Sequence, residues 1–172
     1  MFLNCAGVAY YEKLIQGEKG HRLKSFQRIL DINLTGTFLS CKYAAMHLAK
    51  LPLKGKERGL IINIASIYGK MGMSGTLAYS ASKGGVLGLI IPMARDLGPY
   101  KIRVVGISPG VLRTPMTDPF PAKVMKIFEQ ESASKELPSP FDFANLVKGV
   151  IENEYLNATT IEFWGGLVIP NL

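Results

Sequence analysis

The stretch GLIINIAS, Gly59 to Ser66, is a continuous apolar run of strand length, with the polar LKGKER before it and the glycine-rich YGKMGMSG shortly after it. A strand of an open antiparallel sheet alternates apolar and polar residues, whereas a run apolar on both sides reads as a parallel strand covered on both faces. The rest of the chain agrees with that reading. FLNCAG near the N-terminus is a strand running into a turn, and Lys101 to Ile107 and Thr159 to Phe163 are further strands. Between them lie helical patterns: Ser25 to Leu51, with apolar residues at Phe26, Ile29, Leu30, Leu34, Phe38, Cys41, Ala45 and Leu48, and Thr76 to Gly98, with Pro92 expected to kink it or to cost it a hydrogen bond. Shorter helices are expected near Ala122 to Glu131 and Pro140 to Glu152. This order is that of an α/β domain with a mostly parallel sheet, taken as one domain over residues 1–172. In such sheets ligands bind beyond the carboxyl ends of the strands, which here are Asn4 to Gly7, Ala65–Ser66 and Pro109 to Thr114.

Composition narrows the function classes. The chain has 172 residues, 48% of them hydrophobic, enough for a substantial core. Its longest apolar runs, such as GGVLGLIIPMA, are interrupted by Gly and Pro, so no membrane span is expected, and no secretory or mitochondrial leader is visible. Cys5 and Cys41 lack metal-ligand spacing and read as packing residues in a reducing compartment; His21 and His47 lie far apart, so no metal site is expected. The net charge of +7 is densest from Lys42 through His47, Lys50, Lys54 and Lys56 to Arg58, a stretch poor in aromatics. It reads as a solvated helix end and loop, and nucleic-acid binding is not expected.

The chemistry is concentrated around YSASKGG, Tyr79 to Gly85. Tyr-x-x-x-Lys is a weak signal alone, but a helix puts Tyr79 and Lys83 on one face a turn apart, where an ammonium favours the phenolate and lowers the phenol's pKa. Ser66 precedes Tyr79 by thirteen residues across a glycine-rich loop, so its hydroxyl can face the phenol. Asn33, in INLTGTF, is a mediocre helix former in mid-helix and points to a specific hydrogen bond or a bound water.

Taken in order, Asn4-Cys5-Ala6-Gly7, Asn33, Ser66, Tyr79 with Lys83, and Pro109-Gly110 resemble the short-chain dehydrogenase/reductase family. The resemblance implies the C-terminal part of a Rossmann-type doubly wound parallel sheet. It makes Tyr79 the general acid/base, with Ser66 and Tyr79 holding the substrate oxygen. Lys83 would bind the nicotinamide ribose and tune Tyr79, and Asn33 would complete a water-linked proton relay. The cofactor would be NAD, with NADP left open, touched by Cys5, Ala6, Gly7, Tyr79, Lys83, Val111, Leu112 and Thr114. NCAG, FQRILDINLTGTF, AYSASKGG, ARDLGPYKIRV and LVKGVIEN are most similar to members acting on 3-hydroxyacyl-CoA or hydroxysteroids. That implies an oxidoreductase of lipid and fatty acid metabolism, a homotetramer in a mitochondrial or cytoplasmic setting. The segment Met116 to Pro138 is less similar, and Phe163-Trp164-Gly165-Gly166 stands where the family has an Asp before its glycines. The chain opens at what resembles the family's fourth strand, so the first three βα units, with the turn that cradles the pyrophosphate, are expected to be absent. Two readings follow from that expectation: part of an active dehydrogenase, or a non-catalytic interaction partner.

Overall fold

The structure, a computed structural model, describes residues 1–168. It opens with strand β1 (Phe2–Asn4) and a short antiparallel hairpin, β2 (Ile15–Gln16) and β3 (Lys19–Gly20). A long helical rod follows as α1 (Leu23–Leu30), a π-helical segment (Asp31–Thr35) and α2 (Gly36–Leu48). Strand β4 (Gly59–Ile64) leads through a 3₁₀ turn (Ile67–Gly69) to α3 (Leu77–Leu97), and β5 (Ile102–Pro109) is followed by α4 (Ala122–Glu131), α5 (Pro140–Glu152) and β6 (Thr159–Phe163).

The four longer strands form one parallel sheet in the order β1-β4-β5-β6. The apolar run of β4 is continuous because both faces of the sheet are covered. Ile61 packs with Ile102 and Val104 of β5 against Cys41, Leu48, Ile90 and Ala94 of α2 and α3. Leu60 and Ile62 point the other way and pack with Val105, Ile107, Val147 and Val150, the last two from α5. Every residue from Gly59 to Asn63 is buried. A third cluster, Ile67, Tyr68, Val111, Phe128 and Leu167, closes the carboxyl edge of the sheet, and Trp164 packs against it.

The strand and helix positions match the sequence reading closely, with one difference. The hairpin carries no hydrophobic periodicity and was not expected. The helix α3 runs on through Pro92 at the expected cost of a hydrogen bond, which is tolerable because Pro92 and Gly88, whose carbonyl it cannot serve, are both exposed to water. By length and mean hydropathy α3 could cross a membrane. Here it lies along the sheet, burying Ala78, Ser82, Lys83, Val86, Ile90 and Ala94.

Two buried polar devices hold the layers in register. The Arg103 guanidinium caps the end of α5, donating to the carbonyls of Val150 at 3.3 Å, Asn153 at 3.2 Å and Leu156 at 2.8 Å, and it pairs with Glu57. At the other edge, Asn4 Nδ2 donates to Thr37 Oγ1 at 3.1 Å, and Asn63 Oδ1 accepts from the Cys41 thiol at 3.1 Å. Cys41 is thus buried as expected, whereas Cys5 is exposed at the mouth of a cavity and does not serve as a packing residue.

Candidate active site

Strand β4 delivers Ser66 to the carboxyl edge in an extended conformation, φ −172° and ψ 155°. Its Oγ accepts from the Tyr68 backbone N–H at 3.2 Å and so starts the 3₁₀ turn that reverses the chain. The two glycines after Lys83 then let α3 come unusually close. A Cβ on Gly69 of the turn would lie 2.9 Å from the Gly84 nitrogen, and one on Gly85 would lie 2.7 Å from Leu34 Cδ2. The helix is therefore gripped between the turn and the π-helical segment, which sets Tyr79 beside Ser66 and buries Lys83.

Lys83 is 6% exposed, and its ammonium donates to the Ile64 carbonyl at 2.8 Å. It lies 5.8 Å from the centre of the Tyr79 ring. Burial lowers the Lys83 pKa to about 8, with Cys5 acting weakly the other way. For Tyr79 the sequence reading needs correction. Burial pushes the phenol above its ordinary value, and the group that opposes this is the Ser66 hydroxyl, not the Lys83 ammonium. Burial of the phenol itself is the larger of the two influences.

The Asn33 side chain is fully buried and fully occupied. Its Oδ1 accepts from the Val8 N–H at 2.8 Å, while Nδ2 donates to the Val8 carbonyl at 2.9 Å and to Ser82 Oγ at 3.0 Å. Ser82 in turn donates to the Tyr79 carbonyl at 2.7 Å. The Asn33 amide therefore ties the loop after β1 to α3, and its own carbonyl receives the Thr37 hydroxyl at 2.7 Å. In this structure it braces the helix of Tyr79. The π-helical segment around it is the kind of local distortion found at functional sites.

Of the expected residues, Cys5, Gly7, Ser66, Tyr79, Lys83, Val111, Leu112 and Thr114 line one cavity of about 250 Å³. Asn33 is buried and Ala6 is exposed, and both lie outside the lining. The departure at Phe163-Trp164 is accommodated locally. The Gly110 N–H donates to the Phe163 carbonyl at 2.9 Å, and Trp164 fills the space that a side chain at position 110 would need. Tyr11, Tyr68, Met116 and Phe120 also line the cavity, and none of them was singled out from the sequence. Tyr68 meets the Tyr79 ring edge-on at 5.9 Å, and Tyr11 meets Phe120 in the same way at 5.6 Å. The adjacent tyrosines of AYYEKL, in a loop directly after the first strand, were the available signal for Tyr11.

The family model for short chain dehydrogenase matches residues 1–124. The chain belongs to that family. Among short chain dehydrogenases of known activity, human 3-hydroxyacyl-CoA dehydrogenase type-2 is 42% identical over 169 residues, a match covering 96% of this chain and 65% of that protein. Human (3R)-3-hydroxyacyl-CoA dehydrogenase is 36% identical over 167 residues, 96% of this chain and 61% of that one. Among solved structures, 3-hydroxyacyl-CoA dehydrogenase type-2 from Mycobacterium avium superposes with a TM-score of 0.88 at 31% identity, covering 96% of this chain and 65% of that chain. A 4-hydroxyisoleucine dehydrogenase complexed with NADH gives a TM-score of 0.84 at 27% identity, covering 95% and 66%. The chain thus spans about 65% of the length of the 3-hydroxyacyl-CoA dehydrogenases it matches.

Proposed function

We propose that this chain catalyses hydride transfer between NAD and a secondary alcohol or its ketone, the substrate being a 3-hydroxyacyl-CoA or a hydroxysteroid. The observation that carries the reading is the convergence of Ser66, Tyr79 and Lys83 on one cavity at the carboxyl edge of the sheet. The residues fit a nicotinamide. A Cβ on Gly7 would come within 3.4 Å of Asn33 Oδ1 and 3.5 Å of Lys83 Nζ, so glycine there keeps backbone room beside a buried cation that can hold a ribose hydroxyl. Val111, Leu112 and Thr114 would hold the carboxamide end, where the loop is shaped by the Thr117 hydroxyl accepting from the Thr114 N–H at 3.0 Å.

When bound, the nicotinamide supplies the hydride donor or acceptor. Ser66 orients the substrate oxygen by hydrogen bonding, and Tyr79 moves the proton at that oxygen. With its pKa raised, Tyr79 is a neutral phenol at neutral pH, ready to donate in the direction of ketone reduction. Oxidation needs the phenolate, so that direction should quicken as pH rises. Positioned acid/base chemistry of this kind is worth about 10²- to 10⁴-fold.

The same reading makes the chain a homo-oligomer of the tetrameric kind. An apolar groove of about 390 Å³ runs between α2 and α3, lined by Phe38, Met46, Met93 and Tyr100, and Tyr43 beside it is 64% exposed. A second copy of the chain would cover this face. The setting proposed is intracellular, mitochondrial or cytoplasmic.

The test is appearance of NADH absorbance with 3-hydroxybutanoyl-CoA and with a hydroxysteroid, repeated with NADP. Turnover of one of them that disappears in Tyr79→Phe supports the reading. NAD binding without turnover of any alcohol would favour a non-catalytic partner instead.

A further inference from the structure

Tyr11 is a residue of the cavity wall that neither the family motifs nor the proposed proton transfer uses, and three observations constrain it. It is held in place. The N–H of the next residue, Glu12, donates to the Gly75 carbonyl at 2.9 Å, and the Tyr11 ring stands edge-on to Phe120 with centroids 5.6 Å apart and planes at 71°. It faces the reacting groups. Its side chain lines the same cavity as Ser66 and Tyr79. Finally, its hydroxyl is free. Tyr68 spends its own on Met73 Sδ at 3.3 Å, whereas nothing among the described residues hydrogen-bonds the Tyr11 hydroxyl.

A phenol at a cavity wall is a neutral donor if its pKa is high, and burial with the neighbouring Tyr79 raises that of Tyr11 to about 12. Tyr11 keeps 44% of its surface exposed, so it stands at the mouth while Ser66, 4% exposed, lies deep. Ser66 and Tyr79 already claim the oxygen at the reacting carbon. A third hydroxyl, brought from a separate loop, can serve only a second acceptor on the same ligand.

We propose that Tyr11 is a substrate-binding residue that donates a hydrogen bond to a second oxygen of the substrate, and that the cavity selects alcohols carrying a carbonyl near the reacting carbon, as in 3-hydroxy esters and thioesters. This rests on the oxidoreductase reading for the reacting oxygen. It adds the residue that separates a 3-hydroxyacyl group from a plain secondary alcohol or a steroid hydroxyl without such a neighbour. A site built to donate to an oxygen discriminates against a ligand that lacks it, because its donor is then left unpaired.

Ethyl 3-hydroxybutanoate and 2-hexanol are suitable probes, two secondary alcohols of which only the first carries the second oxygen. The wild-type chain should prefer the ester in kcat/KM. Tyr11→Phe keeps the ring against Phe120 and should lower the ester-to-hexanol ratio about tenfold, as expected for one hydrogen bond. A ratio within twofold of wild type would overturn the proposal, as would a wild type that prefers the hexanol. Calorimetric binding of ethyl acetoacetate reads the same contact without turnover. Weaker binding in Tyr11→Phe by an inactive chain would leave the contact standing and remove only the oxidoreductase reading; equal binding by both chains would overturn the contact.

Discussion

Lys83 donates its ammonium to the carbonyl of Ile64, 2.8 Å away and nineteen residues earlier in the chain. The bond joins the last residue of β4 to the helix that carries Tyr79, so the lysine positions the helix before it can serve any cofactor. It also leaves a cation in a site 6% exposed, and the cost of that burial is what lowers its pKa to about 8.

That shift makes stability depend on pH with a definite sign. Between the folded value of about 8 and the ordinary 10.5, the unfolded chain binds more protons than the folded one, so stability rises with pH across that window. The full span is on the order of 3 kcal/mol. Urea midpoints of wild type and Lys83→Met should therefore diverge in their pH dependence from about pH 8 to 10, with wild type gaining and the variant flat. Parallel curves would show that the ammonium is solvated. Above pH 10 the raised pKa values of Tyr79 and of Tyr11 act oppositely, and stability should fall again.

For the proposed reaction, Tyr79→Phe should reduce kcat by about 10²- to 10⁴-fold while NAD affinity, read by NADH fluorescence, stays within about twofold. Lys83→Ala should damage both. In wild type, alcohol oxidation should accelerate with pH as the Tyr79 phenol ionises, a slope that Tyr79→Phe cannot show.

The close approach of α3 predicts opposite outcomes at two glycines. Gly69→Ala should destabilise by about 1–3 kcal/mol, because its Cβ would lie 2.9 Å from the backbone of Lys83 and Gly84, which cannot yield as a side chain can. Gly88→Ala, within α3 itself and with nothing within 4 Å, should stabilise by about 0.5–1 kcal/mol through helix propensity. Thermal unfolding of the two variants compares them directly.

Arg103→Ala should be among the most damaging substitutions away from the cavity, at about 3–5 kcal/mol by urea unfolding. It strands the Glu57 carboxylate and the carbonyls at the end of α5. Arg103→Lys should recover only part, since an ammonium cannot reproduce the planar fork of donors.

The groove between α2 and α3 can be tested in solution. Light scattering at micromolar concentration should show an oligomer, and Met46→Asp, which places a charge on that face, should dissociate it. A monomeric wild type would remove the second copy from the account.

Much was determined by the sequence alone, and for local reasons. An apolar run such as Gly59–Ile64 can be satisfied only by cover on both faces, which implies a parallel sheet. Residues four apart on a helix must share a face, which places Lys83 under Tyr79. Ser66 is close by in sequence across a flexible loop, so its meeting with Tyr79 follows from the same short stretch. What only the tertiary structure decided depends on residues far apart in the chain. Burial by the sheet, the turn and the π-helical segment together raised the Tyr79 pKa where a nearby cation suggested a fall. The loop at Val8 captured the Asn33 amide from twenty-five residues away, and a tyrosine from the same loop came to line the same cavity as Tyr79. Desolvation and long-range hydrogen bonding are sums over neighbours that spacing along the chain does not specify, so the acid/base pair could be read from the residues while its electrostatics and the outer wall of its cavity could not.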